Sequence, residues 1–391
     1  MRVLLVTDGI YPFAMGGMQK HSYYLAKYLV REGVRIHVVH CGKDLAEGAE
    51  LQHPAYAGAS ELSFSNVTFP ALPKIPGHYL RANKLYSKNV LQQMRPFLDD
   101  FDLVYCQGFT AWAFIQAREH GELRIPVVSN LHGYEMFQRA PSRKDALGQL
   151  PLRHLAKKIS LGSDAVFSFG GHISGILQRI GLRKENILEC PIGIDESWLV
   201  NGIPPSDGGE RRFVFVGRDE RRKGLKELNL ALHGLLKEGS TEFKFDFIGP
   251  VLQVNRIADA RITYHGAVRE EALIKKVLRS SDVLVCPSYS EGMPTVIMEA
   301  MASGLAILAT DVGAVNQQVE GNGWLLASSE VGSIQSALEQ AVRISAADLN
   351  GHEGEVAGPR TLQIYVGKGD QAQGGIAETD VGSGCMRLHA L

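Results

Sequence analysis

The sequence lacks the features that mark metal-stabilised or membrane-spanning proteins. Its five cysteines, an odd number in 391 residues, stand singly, and none forms a Cys-x-x-Cys pair. Reduced thiols packed near strand ends are therefore expected, and a structural zinc site is not. No uninterrupted apolar run reaches membrane-spanning length, and Thr7 and Asp8 cut the first apolar run well short of a signal peptide. We expect a cytosolic protein.

The chain also has no strong charge of either sign. Its 41 basic and 42 acidic side chains leave a formal net charge of −1, with 45% hydrophobic and 21% charged residues. This is the composition of a soluble globular protein, and bulk charge favours neither nucleic acid nor an anionic membrane as a partner. Because 391 residues are too many for one core, about two domains are expected.

Short β-branched runs alternate with amphipathic stretches along most of the chain, which predicts an α/β fold with buried parallel strands. The first half contains the predicted strands RVLLVTD, VRIHVVH, DLVYCQG, PVVSNLHG and DAVFSFG, and predicted helices such as GMQKHSYYLAKYLVREG and PLRHLAKKISLGS. After a Pro/Gly-rich segment the pattern restarts with FVFVGR, FKFDFIG, ITYHG, DVLVCPS, LAILATD and GWLLA. We predict two Rossmann-like parallel-sheet domains, residues 1–194 and 195–345, facing an interdomain cleft, and an irregular or disordered tail over residues 346–391.

The segment YSEGMPTVIMEAMASG follows the predicted strand DVLVCPS. Pro294 suits the first position of a helix, which leaves the N–H groups of Thr295 and Val296 free at the positive end of the helix dipole, where an anion can bind. Glu291 precedes this helix and Glu299 lies in its second turn, so both carboxylates can accept hydrogen bonds from hydroxyl groups. A phosphate between two hydroxyl-bearing groups describes a nucleotide sugar. The alternative is an incidental loop acid and a solvated helix residue.

This stretch resembles the E-x7-E motif of the family 4 retaining glycosyltransferases, which have the GT-B fold. The similarity covers roughly residues 1–345, with further motifs in the family's order. The resemblance implies that Glu291 contacts the hydroxyls of the donor sugar and that Glu299 contacts the ribose of the nucleotide. It also implies a nucleotide-diphosphate sugar as donor substrate, with no cofactor. The donor-binding residues expected between the two glutamates are Gly292, Met293, Pro294, Thr295 and Val296.

The segment FVFVGRDERRKG places Arg218 and Lys223 shortly after a predicted strand. A pyrophosphate leaving group gathers negative charge as the glycosidic bond breaks, and fixed cations stabilise that charge most in the transition state. Arg218 and Lys223 match the family's arginine and lysine with this role, so no metal is needed. A solvated basic turn is the alternative, and we expect it for Arg221 and Arg222.

Gly16 and Gly17 lie between the first predicted strand and the first predicted helix. Glycines here permit close approach to a phosphate or sugar, and in the family this loop lies across the cleft from the donor pyrophosphate. A plain tight turn is the alternative. The sequence has no Gly-x-Gly-x-x-Gly motif, which counts against an NAD-binding dehydrogenase.

His132, in VVSNLHGYE, follows a predicted strand. The family has a histidine at this position, close to the transferred sugar, and its main-chain carbonyl or ring helps to stabilise positive charge at the anomeric carbon. A hydrogen-bonded structural histidine is the alternative. We therefore treat His132 as a catalytic candidate together with Arg218, Lys223 and Glu291.

Three weaker signals remain. The segments PIGID and YHGAV match the family, and the second implies backbone contacts from Gly266 to Val268 to the nucleotide base. The pair Asp100 and Asp102 forms a D-x-D motif, which holds a divalent metal in other glycosyltransferase architectures. Because the pair directly precedes LVYCQG, we interpret it as the polar start of a strand and expect no metal site.

The family is thought to retain anomeric configuration by a same-face route, in which the leaving phosphate accepts the acceptor's proton. We adopt this hypothesis, since no carboxylate is placed as a nucleophile behind the sugar. A glycan or lipid-linked acceptor is expected to enter from the first domain. Residues 73–97 could rest on anionic lipid at the inner face of the membrane, although a solvated amphipathic helix explains them equally well. The basic residues of this stretch are Lys74, Arg81, Lys84, Lys88 and Arg95.

The C-terminal tail departs from the family, whose members usually end in a long helix, often preceded by a Y-[ST]-W-E segment, that braces the first domain. Residues 363–370, QIYVGKGD, can be written with codons that spell KYTWEKV when read one base later. We therefore hypothesise a frameshift near Leu349 to Glu353, which sequencing of the gene would test. Domain closure, stability and activity depend on its outcome.

Three functions follow from these patterns. The leading one is a hexosyltransferase in cell-surface polysaccharide or glycoconjugate synthesis. The second is a nucleotide-sugar-binding protein whose turnover is lost or reduced because of the altered C-terminus. The third is a two-domain epimerase or phosphorylase on a similar scaffold.

Overall fold

The computed structural model describes residues 1–42, 45, 48–199, 210–237, 243–268, 270–319 and 321–344. These residues form two compact units. Unit 1 comprises Met1–Met136 and Gly148–Pro191, and unit 2 comprises Phe137–Leu147 and the described residues from Ile192 onward. Residues 346–391, with the frameshift hypothesis that concerns them, lie outside the described part of the chain.

Within its described residues, unit 1 contains a seven-stranded parallel sheet with the strand order β3-β2-β1-β4-β5-β6-β7. Its strands are β1 (Arg2–Val6), β2 (Arg35–His40), β3 (Leu62–Asn66), β4 (Leu103–Gln107), β5 (Val127–Asn130), β6 (Ala165–Ser168) and β7 (Ile187–Glu189). The helices are α1 (Gly17–Arg31), α2 (Ala49–Gln52), α3 (His78–Met94), α4 (Trp112–Glu119), α5 (Arg143–Gly162), whose first residues belong to unit 2, and α6 (Gly171–Ile180).

Unit 2 contains a parallel sheet of six described strands in the order β10-β9-β8-β11-β12-β13. Its strands are β8 (Arg211–Val216), β9 (Phe243–Ile248), β10 (Ile262–Gly266), β11 (Val283–Cys286), β12 (Ala306–Thr310) and β13 (Gly323–Leu326). Its remaining helices are α7 (Leu225–Lys237), α8 (Glu271–Arg279), α9 (Thr295–Ala302) and α10 (Val331–Arg343).

The central strands are apolar on both faces because helices cover both sides of each sheet. In unit 2, Phe213, Phe245 and Phe247 are fully buried and pack in one cluster with side chains of α7 and α10. The strand order reverses between β1 and β4 in unit 1 and between β8 and β11 in unit 2. In open parallel sheets, ligands bind at the carboxyl ends of strands at such a reversal.

The predicted parallel-sheet fold is confirmed, and each predicted strand corresponds to an observed one. Two strands were missed. β3 is an edge strand with a polar, partly exposed pattern, and β7 has only three residues, so neither carries a strong apolar signal. The helix predicted to begin at Pro151 begins at Arg143, because the helix continues through the proline.

The described cysteines form no disulfide with one another and lie at or near strand ends, as expected. They are Cys41, Cys106, Cys190 and Cys286. Among the described residues, no helix combines the length and the apolar character needed to cross a membrane.

Candidate functional site

The carboxyl ends of β8 and β11 lie side by side because these two strands pair in the sheet of unit 2. A basic turn, residues 218–223, follows β8, and the loop that contains Glu291 follows β11. Gly224 ends the basic turn with φ +72°, and a Cβ on it would lie 2.2 Å from the Pro287 carbonyl oxygen. Glycine at this position therefore allows the basic turn to pack directly against the Glu291 loop.

Glu291 is a buried carboxylate, only 5% exposed, with close cationic and hydroxyl partners. Lys223 Nζ lies 2.5 Å from its Oε1, and Ser288 Oγ donates to the same oxygen at 2.7 Å. Burial by itself raises the pKa of Glu291. The charges of Lys223 and Arg222 and the hydrogen bonds from Lys223 and Ser288 outweigh burial and hold that pKa below its ordinary value. Glu291 is therefore ionised at neutral pH and can only accept hydrogen bonds.

A chain of ion pairs connects Arg218 to Glu291. Arg218 Nη2 lies 2.9 Å from Glu220 Oε1, and Arg222 Nε lies 3.0 Å from Glu220 Oε2. Arg222 Nη1 in turn lies 3.4 Å from Glu291 Oε2. The Arg218 side chain is 64% exposed, whereas that of Lys223 is 17% exposed. The structure thus brings Arg218, Lys223 and Glu291 into one network, with an accessible cation at its outer end.

The expectation that Arg221 and Arg222 form a solvated turn is wrong. Arg222 bridges Glu220 and Glu291, as described above. Arg221 makes two hydrogen bonds of 2.6 Å to Glu227, and its guanidinium lies 5.2 Å from the centre of the Tyr289 ring. The reason is local geometry, since the 3₁₀ turn Arg221–Lys223 directs successive side chains towards different neighbours.

The backbone of the Glu291 loop is held from two further directions. Gln138 Nε2 donates to the Glu291 carbonyl at 2.5 Å, and Gln138 Oε1 accepts from the Glu291 amide at 3.3 Å. On the other side, the amide of Ala314 donates to the Gly292 carbonyl at 2.8 Å. Gly313 has φ +60°, and a Cβ there would lie 2.3 Å from the carbonyl oxygens of both Glu291 and Gly292. The loop therefore has little freedom to move.

Helix α9 begins at Thr295, one residue later than predicted. Pro294 is the N-cap residue rather than the first helical residue, because its ψ of 117° is extended. Pro294 has no side-chain group that could cap this helix end, and Thr295 and Val296 are partly exposed. Glu299 lies in the second turn, as expected, and is 8% exposed. The amide-rich end of α9 thus follows the Glu291 loop directly and remains accessible to an anion.

The neighbouring residues of the predicted site differ in their burial and in the free space beside them. Met293 is buried, and its sulfur accepts a hydrogen bond from the Ile192 amide at 3.2 Å. Gly266 ends β10 with φ +71°, and no described atom lies within 4 Å of the place where its Cβ would be. Val268 packs against the apolar core of unit 2. Gly266 thus leaves open space beside its backbone for a ligand, whereas the side chains of Met293 and Val268 pack inside unit 2.

The remaining predicted site residues, Gly16, Gly17 and His132, belong to unit 1. Gly16 is the N-cap residue of α1 with an extended φ of 165°, and the space around Gly17 is open. His132 has φ +59°, a left-handed conformation in which L-residues are uncommon. Its amide donates to Asn130 Oδ1 at 2.8 Å, and its Nε2 lies 2.6 Å from Gln107 Oε1. His132 is therefore held in one orientation.

The D-x-D pair has the structural role that the sequence indicated. Asp102 Oδ2 accepts from the Arg2 amide at 2.7 Å, and Asp100 lies 3.8 Å from the Arg2 guanidinium. Both acids therefore join the start of β4 to the start of β1. Among the described residues, no group of three or more His, Cys, Asp or Glu side chains is placed to hold a metal ion.

Sequence reasoning missed several contributors to this site. Ser288 and Gly313 follow buried strands, so their positions at strand ends were a usable signal. Arg222 directly precedes Lys223 in the sequence, and this position beside a predicted site residue was also a usable signal. Gln138 could not have been found, because it lies 153 residues from Glu291 in the chain and carries no local signature.

Two family models match the chain. The model of Glycosyltransferase Family 4 matches residues 15–198, and the model of Glycosyl transferases group 1 matches residues 210–343. TuaC of Bacillus subtilis strain 168, named as a teichuronic acid biosynthesis glycosyltransferase, is 28% identical over 212 residues. That match covers 49% of this chain and 49% of TuaC, so the chain matches about half the length of this relative.

Solved structures share the fold. Sucrose-phosphate synthase from Thermosynechococcus elongatus superposes with a TM-score of 0.67 and 18% identity, covering 87% of this chain and 89% of that one. Anabaena HepE, solved in complex with UDP-glucose, superposes with a TM-score of 0.61 and 20% identity, covering 90% and 93% of the two chains. With both family models matched and both sheets parallel, the chain belongs to the family 4 glycosyltransferases of the GT-B fold.

Proposed function

We propose that the protein is a retaining glycosyltransferase that transfers a hexose-type sugar from a nucleotide-diphosphate sugar to a glycan or lipid-linked acceptor. The reaction needs no metal and no cofactor. Its setting is the synthesis of a cell-surface polysaccharide or glycoconjugate, which the name of TuaC supports. The UDP-glucose bound to HepE supports a nucleotide sugar as donor.

The observation that carries this proposal is the meeting of the basic turn, the Glu291 carboxylate and the amide end of α9 in unit 2. In this proposal a diphosphate binds to Arg218, Lys223 and the amides of Thr295 and Val296, which attract it because they carry positive charge or partial positive charge. Glu291 accepts hydrogen bonds from sugar hydroxyls. Glu299 does the same for the ribose.

The fixed cations also account for catalysis. Negative charge moves onto the diphosphate as the glycosidic bond breaks, so Lys223 and Arg218 interact more strongly with the transition state than with the bound donor. Lys223 is held by Glu291 at 2.5 Å and needs little reorganisation. In this proposal the leaving phosphate takes the proton of the acceptor hydroxyl, and the new bond forms on the same face of the sugar. An inverted anomer, detected by NMR of the product, would overturn this stereochemistry.

The test measures donor turnover and donor binding together, with a panel of nucleotide sugars. Arg218→Ala and Lys223→Ala are expected to lower kcat by about a hundredfold, the effect of losing one group that stabilises developing negative charge. Lys226→Ala is the matched control, since Lys226 is an exposed base at the start of α7 and should leave kcat unchanged. Near-normal turnover in folded Arg218→Ala and Lys223→Ala variants would contradict the proposal.

The same measurements separate this function from binding without turnover. A protein that binds a nucleotide sugar but neither hydrolyses nor transfers it would support the second function, a donor-binding protein disabled by its C-terminus.

His132→Ala tests the role expected for His132 near the transferred sugar, and unchanged kinetics would exclude that role.

Peripheral membrane contact is proposed for the region around α3. Ile75 and Tyr79 are each 50% exposed beside the exposed bases Lys74 and Arg81. The other bases of this stretch have protein partners: Lys84 and Lys88 lie over the Trp112 ring and Arg95 pairs with Glu122. The fraction of protein that floats with anionic vesicles is expected to fall when Lys74 and Arg81 are replaced by glutamine. An unchanged fraction would exclude this membrane contact.

A further inference from the structure

Gln107 lies between two histidines at the carboxyl end of β4, where it is fully buried. Its side-chain oxygen Oε1 lies 2.6 Å from His132 Nε2, and its side-chain nitrogen lies 3.3 Å from His21 Nδ1. His21 comes from α1 and His132 from the loop after β5, so three separate elements of unit 1 meet at one amide.

The chemistry of an amide restricts the hydrogens on both rings. An amide oxygen only accepts hydrogen bonds and an amide nitrogen only donates them. His132 Nε2 must therefore carry a hydrogen, and His21 Nδ1 must present a lone pair. If both facing ring nitrogens carried hydrogens, one of the two hydrogen bonds would be lost in a buried position, at a cost of about 1–3 kcal/mol.

The surroundings favour the uncharged rings. The ring centres of His21 and His132 lie 5.0 Å apart, and Phe169 lies 5.7 Å from the first and 5.4 Å from the second. Burial and the nearby His21 hold the pKa of His132 well below its ordinary value, and burial lowers the pKa of His21 to about 4. Both imidazoles are therefore neutral at pH 7.

The backbone of His132 is fixed by the neighbouring strand. Asn130, which accepts the His132 amide, is in register with Gln107 across the β4–β5 pair. These two side chains thus hold His132 at its amide and at its ring, and they stabilise a left-handed conformation that costs about 1 kcal/mol or more for a residue other than glycine.

We propose that Gln107 is a positioning residue whose amide oxygen holds a hydrogen of His132 on Nε2 and so orients the ring, while His21 fixes the amide. This inference rests on the proposed function, in which His132 acts near the anomeric carbon. The inference states how the His132 ring is oriented when it acts there. A neutral ring with its lone pair on Nδ1, together with the main-chain carbonyl, does not repel positive charge developing on the sugar, and no proton is transferred at His132.

The first test reads the tautomer directly, without turnover. Nitrogen NMR of the full chain labelled with [15N]histidine distinguishes protonated from unprotonated ring nitrogens, and the loss of signals in His132→Ala and His21→Ala assigns them. At pH 7 we expect a hydrogen on Nε2 and none on Nδ1 for His132. A hydrogen on Nδ1, or a charged ring, would overturn the proposal.

The second test changes the amide. Gln107→Glu keeps the shape but offers only acceptors, so His21 Nδ1 must gain a hydrogen to keep its contact, and the added negative charge favours the charged form of His132. Gln107→Leu removes both hydrogen bonds. Both variants are expected to lower kcat by about ten- to a hundredfold through misplaced or charged His132, with the donor dissociation constant changed less than about threefold. Ser129→Ala is the matched control. Ser129 lies on the adjacent strand β5, and its replacement removes a buried hydrogen bond to Ser163 but should leave kcat unchanged.

The outcomes are distinguishable. Unchanged kcat in a folded Gln107→Leu variant would overturn the positioning role even if the tautomer is as expected. An unaltered protein that turns over no nucleotide sugar would count against the proposed function, and the NMR result would then decide the tautomer by itself.

Discussion

The contact between Lys223 and Glu291 gives the most quantitative test of the site's electrostatics. The two charged atoms lie 2.5 Å apart, and the side chains are 17% and 7% exposed. Removing one partner of a buried ion pair typically costs about 3–5 kcal/mol, because the other charge stays buried without compensation. Arg222, 3.4 Å from the second carboxylate oxygen, and Ser288 still support Glu291. We therefore expect Lys223→Met to lower the free energy of unfolding of unit 2 by about 2–3 kcal/mol.

A double-mutant cycle isolates the pair. Lys223→Met, Glu291→Gln and the double variant should show a coupling energy of about 2 kcal/mol, since the neutral glutamine no longer needs a cation. Chemical denaturation, followed by circular dichroism and tryptophan fluorescence, supplies the four free energies.

The matched control is the exposed pair Lys244 and Glu210 in the same unit, which is 2.6 Å apart with side chains 46% and 38% exposed. Its cycle should give less than about 1 kcal/mol, as exposed pairs usually do. If the coupling of Lys223 with Glu291 is no larger than that of this control, the reasoning that Glu291 is a buried, cation-supported carboxylate is refuted.

Two further outcomes are expected. Gly313→Ala should destabilise unit 2 by about 1–3 kcal/mol and weaken donor binding, because its Cβ would clash with the Glu291 and Gly292 carbonyl oxygens at φ +60°. Gly332→Ala is the control, because a Cβ at this position in α10 meets open space. Equal losses of stability in the two variants, measured by calorimetry, would contradict the packing argument. Acidification should destabilise unit 1: the pKa of His21 is lowered to about 4, so the unfolded chain binds more protons below pH 6.5 and stability falls as the pH falls. Between pH 7 and pH 5 the loss from His21 is about 2 kcal/mol, and a His21→Asn variant with the same pH dependence in denaturation experiments would contradict this assignment.

Local sequence patterns predicted which side chains of unit 2 follow the strand ends at the candidate site. Arg218, Lys223 and Glu291 each follow a strongly apolar strand, and parallel strands place their carboxyl ends at one edge of a sheet. Gly292 and Pro294 marked the turn into α9. Knowledge of strand ends, turn residues and charge thus predicted which side chains would be near one another.

Side-chain direction and long-range contacts could not be predicted in this way. Whether Arg222 points to solvent or to Glu291 depends on the conformation of a three-residue turn. The contact of Gln138 with Glu291 depends on how a distant segment packs.

The meeting of His21, Gln107 and His132 shows the same limit. These residues lie on α1, on β4 and after β5, and none of them carries a signal that identifies the other two. The shorter edge strands β3 and β7 were missed because burial on one side, or over only three residues, leaves too few apolar positions to form a pattern.

The most direct test of the account is a crystal structure of the protein with an intact nucleotide-diphosphate sugar. We expect the diphosphate within hydrogen-bonding distance of Arg218, Lys223 and the amides of Thr295 and Val296, with Glu291 contacting sugar hydroxyls and Glu299 the ribose. A donor bound elsewhere, or one whose diphosphate touches neither the basic turn nor the end of α9, would contradict the account.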